Sequence, residues 1–542
     1  MILHRLTAFL ILLVLLGVHG PRVQAAPNLV SVYPLGGQRG TTVDIEIRGA
    51  ELEGAYAVWF GAGTQMDSAK SATASQPNSK CTKSPDGMEA SVKAVQGGSA
   101  KVRLVISPSA RAGFHSVSLV SPRGVSGAIP FWVGPHAVIQ ETGAPHNTPD
   151  TAQPVKLPVA VNGRISESGE LDYYAFDIAR EQAMAFEVIA LHGADFDPQL
   201  ALYEAGGSFL DLQRAKRFLF REEITQGSMP ASRRMTHHFT KPGRYLVNIG
   251  NLFARGAGDY SYLLAIAPAE RQVNAGDALS WAQQRIQLLR SKTVGAPATD
   301  VGLVREAEPD GKPEQTRSFT VPAVLEGTIG QPGDIDRFRF KAKAGQSLVF
   351  EIETPRASRP HFNPRLDVLD AKGAVVLSNL QVQDGKVGTE SAKVILVGSQ
   401  VTGKLDRDGE YFLRIRDLTS VHGSPEHVYR VLVRPQIPHI GDVQVQPGGP
   451  INLVPGGKQR LAVTTPAHEG FSGSIAIAVE GLPQGVKAFV GANNSMIELL
   501  ADANAPVTPL PHMLRISGLP LLGGKTGSAF LVAEIPIMVV RK

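Results

Sequence analysis

A single cysteine, Cys81, stands in the 542 residues of this chain. No internal disulfide can form, so the fold is held by packing, with or without metal ions, and not by a covalent framework. Cys81 lies among Ser, Lys and Asn, which predicts an exposed loop thiol, and no histidine is near it in sequence to form a nucleophilic pair. Charge of one sign is also lacking. The 54 Lys and Arg residues nearly balance the 49 Asp and Glu residues, leaving a net charge of +5 without any long basic tract. That pattern argues against the clustered basic face on which nucleic acids bind.

Long hydrophobic runs are missing too, with one exception at the start. His4 and Arg5 precede an apolar run over residues 6–18, and Val23-Gln24-Ala25 places small residues at the −3 and −1 positions of a cleavage site. This predicts a signal peptide over residues 1–25. The alternative is an uncut anchor, but the run is shorter than the roughly 20 apolar residues a span requires. It also ends in Gly17, His19, Gly20 and Pro21. With no second apolar run, the expected product has no transmembrane segment after cleavage and is secreted, periplasmic or cell-surface.

Motifs that carry chemistry are absent in their usual spacing. His468-Glu469 is followed by Ser472 where a zinc-protease helix needs its second histidine, and Gly470-Phe471-Ser472-Gly473 is one residue too tight for a nucleophile elbow. Gly518 is one residue too far from Gly524-Lys525-Thr526 for a phosphate loop, Pro520 interrupts it, and Gly527-Ser528-Ala529-Phe530 leads toward a strand. His237 and His238 are adjacent, so on a strand they point to opposite faces and do not share a metal. The residues therefore support no catalytic set and no nucleotide or other organic cofactor; the expectation is a protein that is not an enzyme.

What the chain does have is glycine (56) and proline (38), spread between short alternating apolar stretches. That combination predicts an all-β chain of serial sandwiches. It also has one unit twice. Gly163-Arg164-Ile165 returns as Gly327-Thr328-Ile329, and Asp172-Tyr173-Tyr174-Ala175-Phe176 as Asp336-Arg337-Phe338-Arg339-Phe340. Gln182, Phe186 and Val188 fall on Gln346, Phe350 and Ile352, and Gly243-Arg244-Tyr245 on Gly409-Glu410-Tyr411. Repetition marks the unit as a module. Within it Tyr174, Phe176 and Ile178 share one strand face, as do Phe338, Phe340 and Ala342, which predicts the inner layer of a sandwich. An exposed aromatic platform for sugars is the alternative. Between the copies, residues 278–290 hold no Gly or Pro, and Leu279, Ala282, Ile286 and Leu289 form a helical stripe with Asp277 available as a cap. Residues 66–90, rich in Ser, Ala and Lys, read as an exposed loop.

Three resemblances follow from these residues. The opening around Pro34-Leu35-Gly36-Gly37, Gly40-Thr41-Thr42-Val43 and the later Pro122-Arg123-Gly124-Val125-Ser126 resembles the immunoglobulin-like TIG/IPT sandwich. The two copies resemble bacterial pre-peptidase C-terminal (PPC) domains. In the first copy the resemblance rests on Glu141, Asn147 and Ala152, Gly163-Arg164-Ile165, Asp172-Tyr173-Tyr174, Asp197-Pro198-Gln199-Leu200 and Pro242-Gly243-Arg244-Tyr245. In the second it rests on Glu308-Pro309-Asp310, Gly333-Asp334-Ile335-Asp336-Arg337-Phe338, Leu366-Asp367-Val368 and Asp408-Gly409-Glu410-Tyr411. The tail, through Gly456-Gly457 and Gly481-Leu482-Pro483-Gln484-Gly485-Val486, resembles a further immunoglobulin-like sandwich. The implied division is a signal peptide (1–25), a TIG-like sandwich (26–134), a PPC-like sandwich (137–268), a helical linker (269–303), a second PPC-like sandwich (304–435) and an immunoglobulin-like sandwich (436–542).

The PPC resemblance implies β-sandwiches attached to secreted proteins, some of which bind calcium or matrix polymers. Carried over residue by residue, it implies calcium ligands at Glu141, Asn147, Glu170 and Asp172, and at Glu308, Asp310, Asp334 and Asp336. An Asp-Asp pair common after the central strand is missing, and the first copy has a basic stretch at 214–221 there, followed by Glu222-Glu223. The competing reading of Asp172 and Asp336 is turn capping through backbone N–H groups. The function expected is non-catalytic recognition or scaffolding of an extracellular polysaccharide, protein polymer or envelope protein. An accessory part of a secreted peptidase system, or a structural envelope component, are the alternatives.

Overall fold

The computed structural model describes residues 25–71, 80–190, 196–204, 209–213, 231–269, 278–295, 300–308, 316–354, 363–387, 390–421, 423–424 and 427–541. Residues 1–24 of the expected signal peptide, Asp277, Asp310, the basic stretch 214–221 and Glu222-Glu223 lie outside them. The described chain is all-β: a series of β-sandwiches with one helix, Ala278–Ser291. None of its helices is long and apolar enough to cross a membrane.

The two copies have the same strand order. In the first, one sheet runs Ala137–Gln140, Val159–Arg164, Ser261–Pro268, Gln182–Ala190, Ala231–Phe239, and the facing sheet runs Gln153–Pro154, Leu171–Ile178, Gly243–Asn251, Pro198–Glu204, Phe209–Gln213. The second copy repeats both orders, beginning at Gly302–Arg305 in one sheet and Arg317–Phe319 in the other. In each, the first strand of each sheet pairs parallel with its neighbour while the rest of the ladder is antiparallel. The alternating aromatics make the core: Tyr174, Phe176 and Ile178 are buried with Phe186, Phe239 and Tyr245, and Phe338, Phe340 and Ala342 with Phe350 and Tyr411. Phe176 meets Phe239 edge-on at 5.9 Å, while Phe176–Tyr245 and Phe340–Tyr411 are stacked, with ring centres offset at about 6 Å as their quadrupoles favour.

Of residues 66–90, 72–79 lie outside the described residues, and the rest differ from the loop their composition suggests. Strands Gln65–Ser71, Lys80–Lys83 and Met88–Gln96 extend a six-stranded sheet, and Cys81 is half-buried within it, paired with Asp67 and Ser91. The reason lies in small and medium residues at alternate positions: Met88, Ala90 and Val92 face the core, and Thr82 is buried with its hydroxyl donating to the Val58 carbonyl at 2.6 Å. Low bulk hydrophobicity concealed a period of two.

The helix packs on the second copy. Ala278, Ala282 and Ile286 meet Val301, Val324 and Leu432, and the Arg430 guanidinium lies 4.9 Å from the Trp281 ring centre. The chain then returns on itself. The C-terminal sandwich packs Met538 and Val540 against Ala57, Trp59, Val120 and Val125 near the N-terminus. There the Asn452 side chain imitates a strand, accepting from Val125 N at 3.0 Å and donating to Val125 O at 3.1 Å. Asn162 of the first copy makes the same kind of joint, accepting from Leu35 N and Gly36 N and donating to Gly36 O. The N-terminal sandwich is thus gripped on two sides by asparagine side chains.

Candidate cation cradles in the two repeats

The first cradle forms where the entry strand meets the sandwich. Glu141 follows strand Ala137–Gln140 and accepts the Arg164 N–H at 3.0 Å. Asp172 enters strand Leu171–Ile178 and is buried, with its Oδ2 accepting from the Tyr262 hydroxyl at 2.6 Å. That hydroxyl also meets the Tyr174 hydroxyl at 2.6 Å, so two buried phenols stand behind the carboxylate. The Tyr262 ring crosses directly over Gly163: a Cβ there would sit 2.2 Å from the ring. This close approach is what the repeated Gly-x-Ile provides.

A third side chain completes the cluster. His146, from the loop after Glu141, brings its ligand atom together with those of Glu141 and Asp172, all within 4.8 Å of one another. Its Nε2 is 3.4 Å from Asp172 Oδ1. Desolvation raises both carboxyls to about 7; the Arg164 N–H and the Tyr262 hydroxyl oppose the rise in Glu141 and Asp172 respectively. Burial also drives the Tyr174 and Tyr262 hydroxyls well above 10. Tyr33 of the N-terminal sandwich roofs the site, its ring 3.7 Å from the Arg164 guanidinium, and desolvation lifts its hydroxyl to about 12.

The other two residues implied for the first copy stand apart from this cluster. Asn147 is exposed. Glu170 is close enough to raise the pKa of both carboxyls, but its own carboxylate caps a turn, accepting from Ser166 N and, at 2.8 Å, from Glu167 N.

The second cradle gathers Glu308, Asp334 and Asp336, whose oxygens also lie within 4.8 Å of one another. Asp336 is buried, Asp334 half-buried and Glu308 exposed. Asp334 doubles as a turn residue, accepting from Gly330 N at 2.7 Å and Ile335 N at 3.0 Å. The counterpart of Glu141, however, is Glu306. It follows strand Gly302–Arg305 as Glu141 follows its own, its N–H donates to Glu326 O as that of Glu141 does to Asn162 O, and it accepts from Thr328 N at 2.8 Å. Burial raises its carboxyl, against hydrogen bonds with Asp336 and Thr328 N. Sequence matching through Glu308 overlooked it because the entry strand is shifted one residue relative to the Gly-x-Ile. The shared order Val138-Ile139-Gln140-Glu141 and Leu303-Val304-Arg305-Glu306 was the signal available.

The two clusters offer different donor sets. Calcium takes six to eight hard oxygen donors. The second cradle offers carboxylate oxygens only, with Glu306 beside them. The first offers two carboxylates and an imidazole nitrogen, and does not match a calcium donor set.

No family model matches the chain, and no curated protein is similar to it. Solved structures with some likeness include the pre-peptidase C-terminal domain of a Bacillus anthracis collagenase (16% identity, 23% of this chain and 99% of that one, TM-score 0.16). A Bacteroides ovatus glucan-utilization protein, SGBP-B, in complex with a mixed-linkage heptasaccharide is similar at 9% identity over 43% of this chain and 72% of that one, TM-score 0.14. Surface layer protein SbsC, domains 1–6, is similar at 10% identity over 96% of this chain and 55% of that one, TM-score 0.15. At these values none of them bears on function or on residue roles.

Proposed function

We propose that this chain is a non-catalytic binding or scaffolding protein of the cell exterior, which engages a polysaccharide or protein polymer through several sandwiches held in one body. The observation that carries this reading is the closure of the chain on itself. Polar side chains close its joints: the buried Asn162 and the half-buried Asn452 grip the N-terminal sandwich, and the buried Arg434 ties the second repeat to the C-terminal one. Fixing several weak sites on one body raises the effective concentration of each for a repeating ligand. The apolar leader supports export. The test is co-sedimentation of the chain without its leader with insoluble polysaccharides and with collagen-like and envelope proteins. Retention on one of these, saturable and competed by its soluble fragment, is the expected result. Absence of retention on all of them, together with hydrolysis of a protein or glycan substrate, contradicts the reading.

Within this reading the second cradle is a structural calcium site held by Glu308, Asp334 and Asp336. A bound divalent ion would neutralise three neighbouring carboxylates and tie the entry segment to the sandwich. Calcium should raise the melting temperature and chelator should lower it, with Asp336→Asn removing the difference; a melting temperature indifferent to both contradicts the site.

A further inference from the structure

We infer that the first repeat does not take calcium but holds a borderline transition-metal ion of the zinc class through Glu141, His146 and Asp172. The inference concerns the mismatch between the donor set present and the hard-cation set the repeat's resemblance implies, and it stands independently of polymer binding.

The imidazole decides the matter. His146 is only 8% exposed. Its Nδ1 lies 3.1 Å from the Ala144 carbonyl, which can only accept, so Nδ1 carries the hydrogen and the neutral ring presents a lone pair at Nε2. That Nε2 is buried and has no hydrogen-bond partner. A buried acceptor left unpaired is destabilising. Here it also faces a carboxylate oxygen, Asp172 Oδ1, at 3.4 Å, without a hydrogen bond between them. A cation between the neutral imidazole and the carboxylate would bond to both. The spacing suits such an ion: tetrahedral ligands at about 2.0–2.1 Å from zinc lie roughly 3.3 Å from one another.

The surroundings orient each ligand atom as outer-shell contacts do in metal sites. Tyr262 occupies Asp172 Oδ2 and leaves Oδ1 for the ion; the Arg164 N–H occupies Glu141 Oε2 and leaves Oε1. The loop bearing His146 is pinned by its own carbonyl, which accepts from Tyr173 N at 2.8 Å, and by Gln153 Oε1, which accepts from Thr142 N at 2.8 Å. Imidazole nitrogen favours zinc, copper or nickel over calcium and magnesium. Three protein ligands leave a coordination position for water or for one donor atom of a ligand. The second repeat gathers only carboxylates, so duplication of one fold has produced two cation sites of different selectivity.

The test uses the intact chain without its leader, stripped with chelator and titrated calorimetrically with Zn2+ in excess Ca2+, beside Co2+ absorption as a probe of geometry. One Zn2+ should bind per chain in the presence of calcium, and Co2+ should show the intense visible bands of a four-coordinate site. His146→Ala should weaken this binding at least tenfold and abolish the Co2+ bands. Its metal-free circular dichroism should match that of the parent, and Asp172→Asn should weaken the same event. His146→Gln, which keeps the side-chain volume, serves if the alanine variant fails to fold. Zinc binding unchanged in the His146 variants overturns the inference, because the ion then sits elsewhere, for example at the exposed His238–Glu181 pair. Displacement of the ion by an equal concentration of calcium overturns it as well.

Discussion

Gly163 and Gly327 each sit directly beneath a buried tyrosine. A Cβ at Gly163 would meet the Tyr262 ring and hydroxyl at 2.2 Å; one at Gly327 would meet Glu306 Oε2 at 2.2 Å and the Tyr429 hydroxyl at 2.3 Å. Overpacking of this kind costs about 1–3 kcal/mol. Gly163→Ala should therefore lower the unfolding free energy by about that amount in urea titration, and Gly327→Ala should in addition weaken the calcium binding proposed for the second cradle by displacing Glu306. These glycines were legible in the sequence as a repeated Gly-x-Ile, though the structure sets them inside strands and not at a turn, and the aromatic faces were legible as a core, since a period of two survives duplication. His146 and Glu306 were not. His146 is one residue from Asn147, to which a resemblance drew attention, and only the Ala144 and Tyr173 contacts of its loop turn it inward. Glu306 was hidden by a one-residue shift that leaves the strand pairing intact.

At the scale of elements, a run of charges couples the helix to two sandwiches. Arg285 of the helix donates to Glu351 Oε2 at 2.6 Å, Glu351 Oε1 accepts from the buried Arg434 at 2.9 Å, and Arg434 makes two 2.8 Å bonds to Glu469 of the C-terminal sandwich. Glu469 also accepts from Ile437 N at 2.6 Å, which fixes the crossing between the two sandwiches. Burial pushes the Glu469 carboxyl up, but the Arg434 guanidinium more than offsets this and holds it below the ordinary glutamate value. A depressed folded-state pKa means stability that is present above the unfolded value and lost as pH falls through the folded one. The joint should thus weaken below about pH 4.3. Thermal melts should show a drop between about pH 5 and pH 3 that is smaller in Glu469→Gln than in the parent. At neutral pH, Glu469→Ala, which leaves Arg434 with less compensation, should cost about 3 kcal/mol. Sequence reasoning placed a helix and a linker here and read the helix stripe, since a spacing of 3.6 is local. The charge network joins residues far apart in the chain, and no local pattern announces it.

For the whole molecule, serial sandwiches suggest a string of separate domains, and the structure instead brings the last sandwich back to the first. The contact rests on Trp59, Val120, Val125, Met538 and Val540, on the paired bonds of Asn452 with Val125, and on the Tyr56 hydroxyl donating to Pro509 O at 2.8 Å. A Cβ at Gly124 would run into Asn452 at 2.2 Å, so Gly124→Val should part the two sandwiches, with local strain at its own φ of 131°. The proposed binding of a repeating ligand by one body depends on this closure. Small-angle X-ray scattering of the chain without its leader, at neutral pH, tests it most directly. The account predicts a single compact distance distribution whose maximum matches the closed body, and a larger maximum dimension for Gly124→Val with unchanged circular dichroism. An extended distribution in the parent protein, unaltered by Gly124→Val, would contradict it.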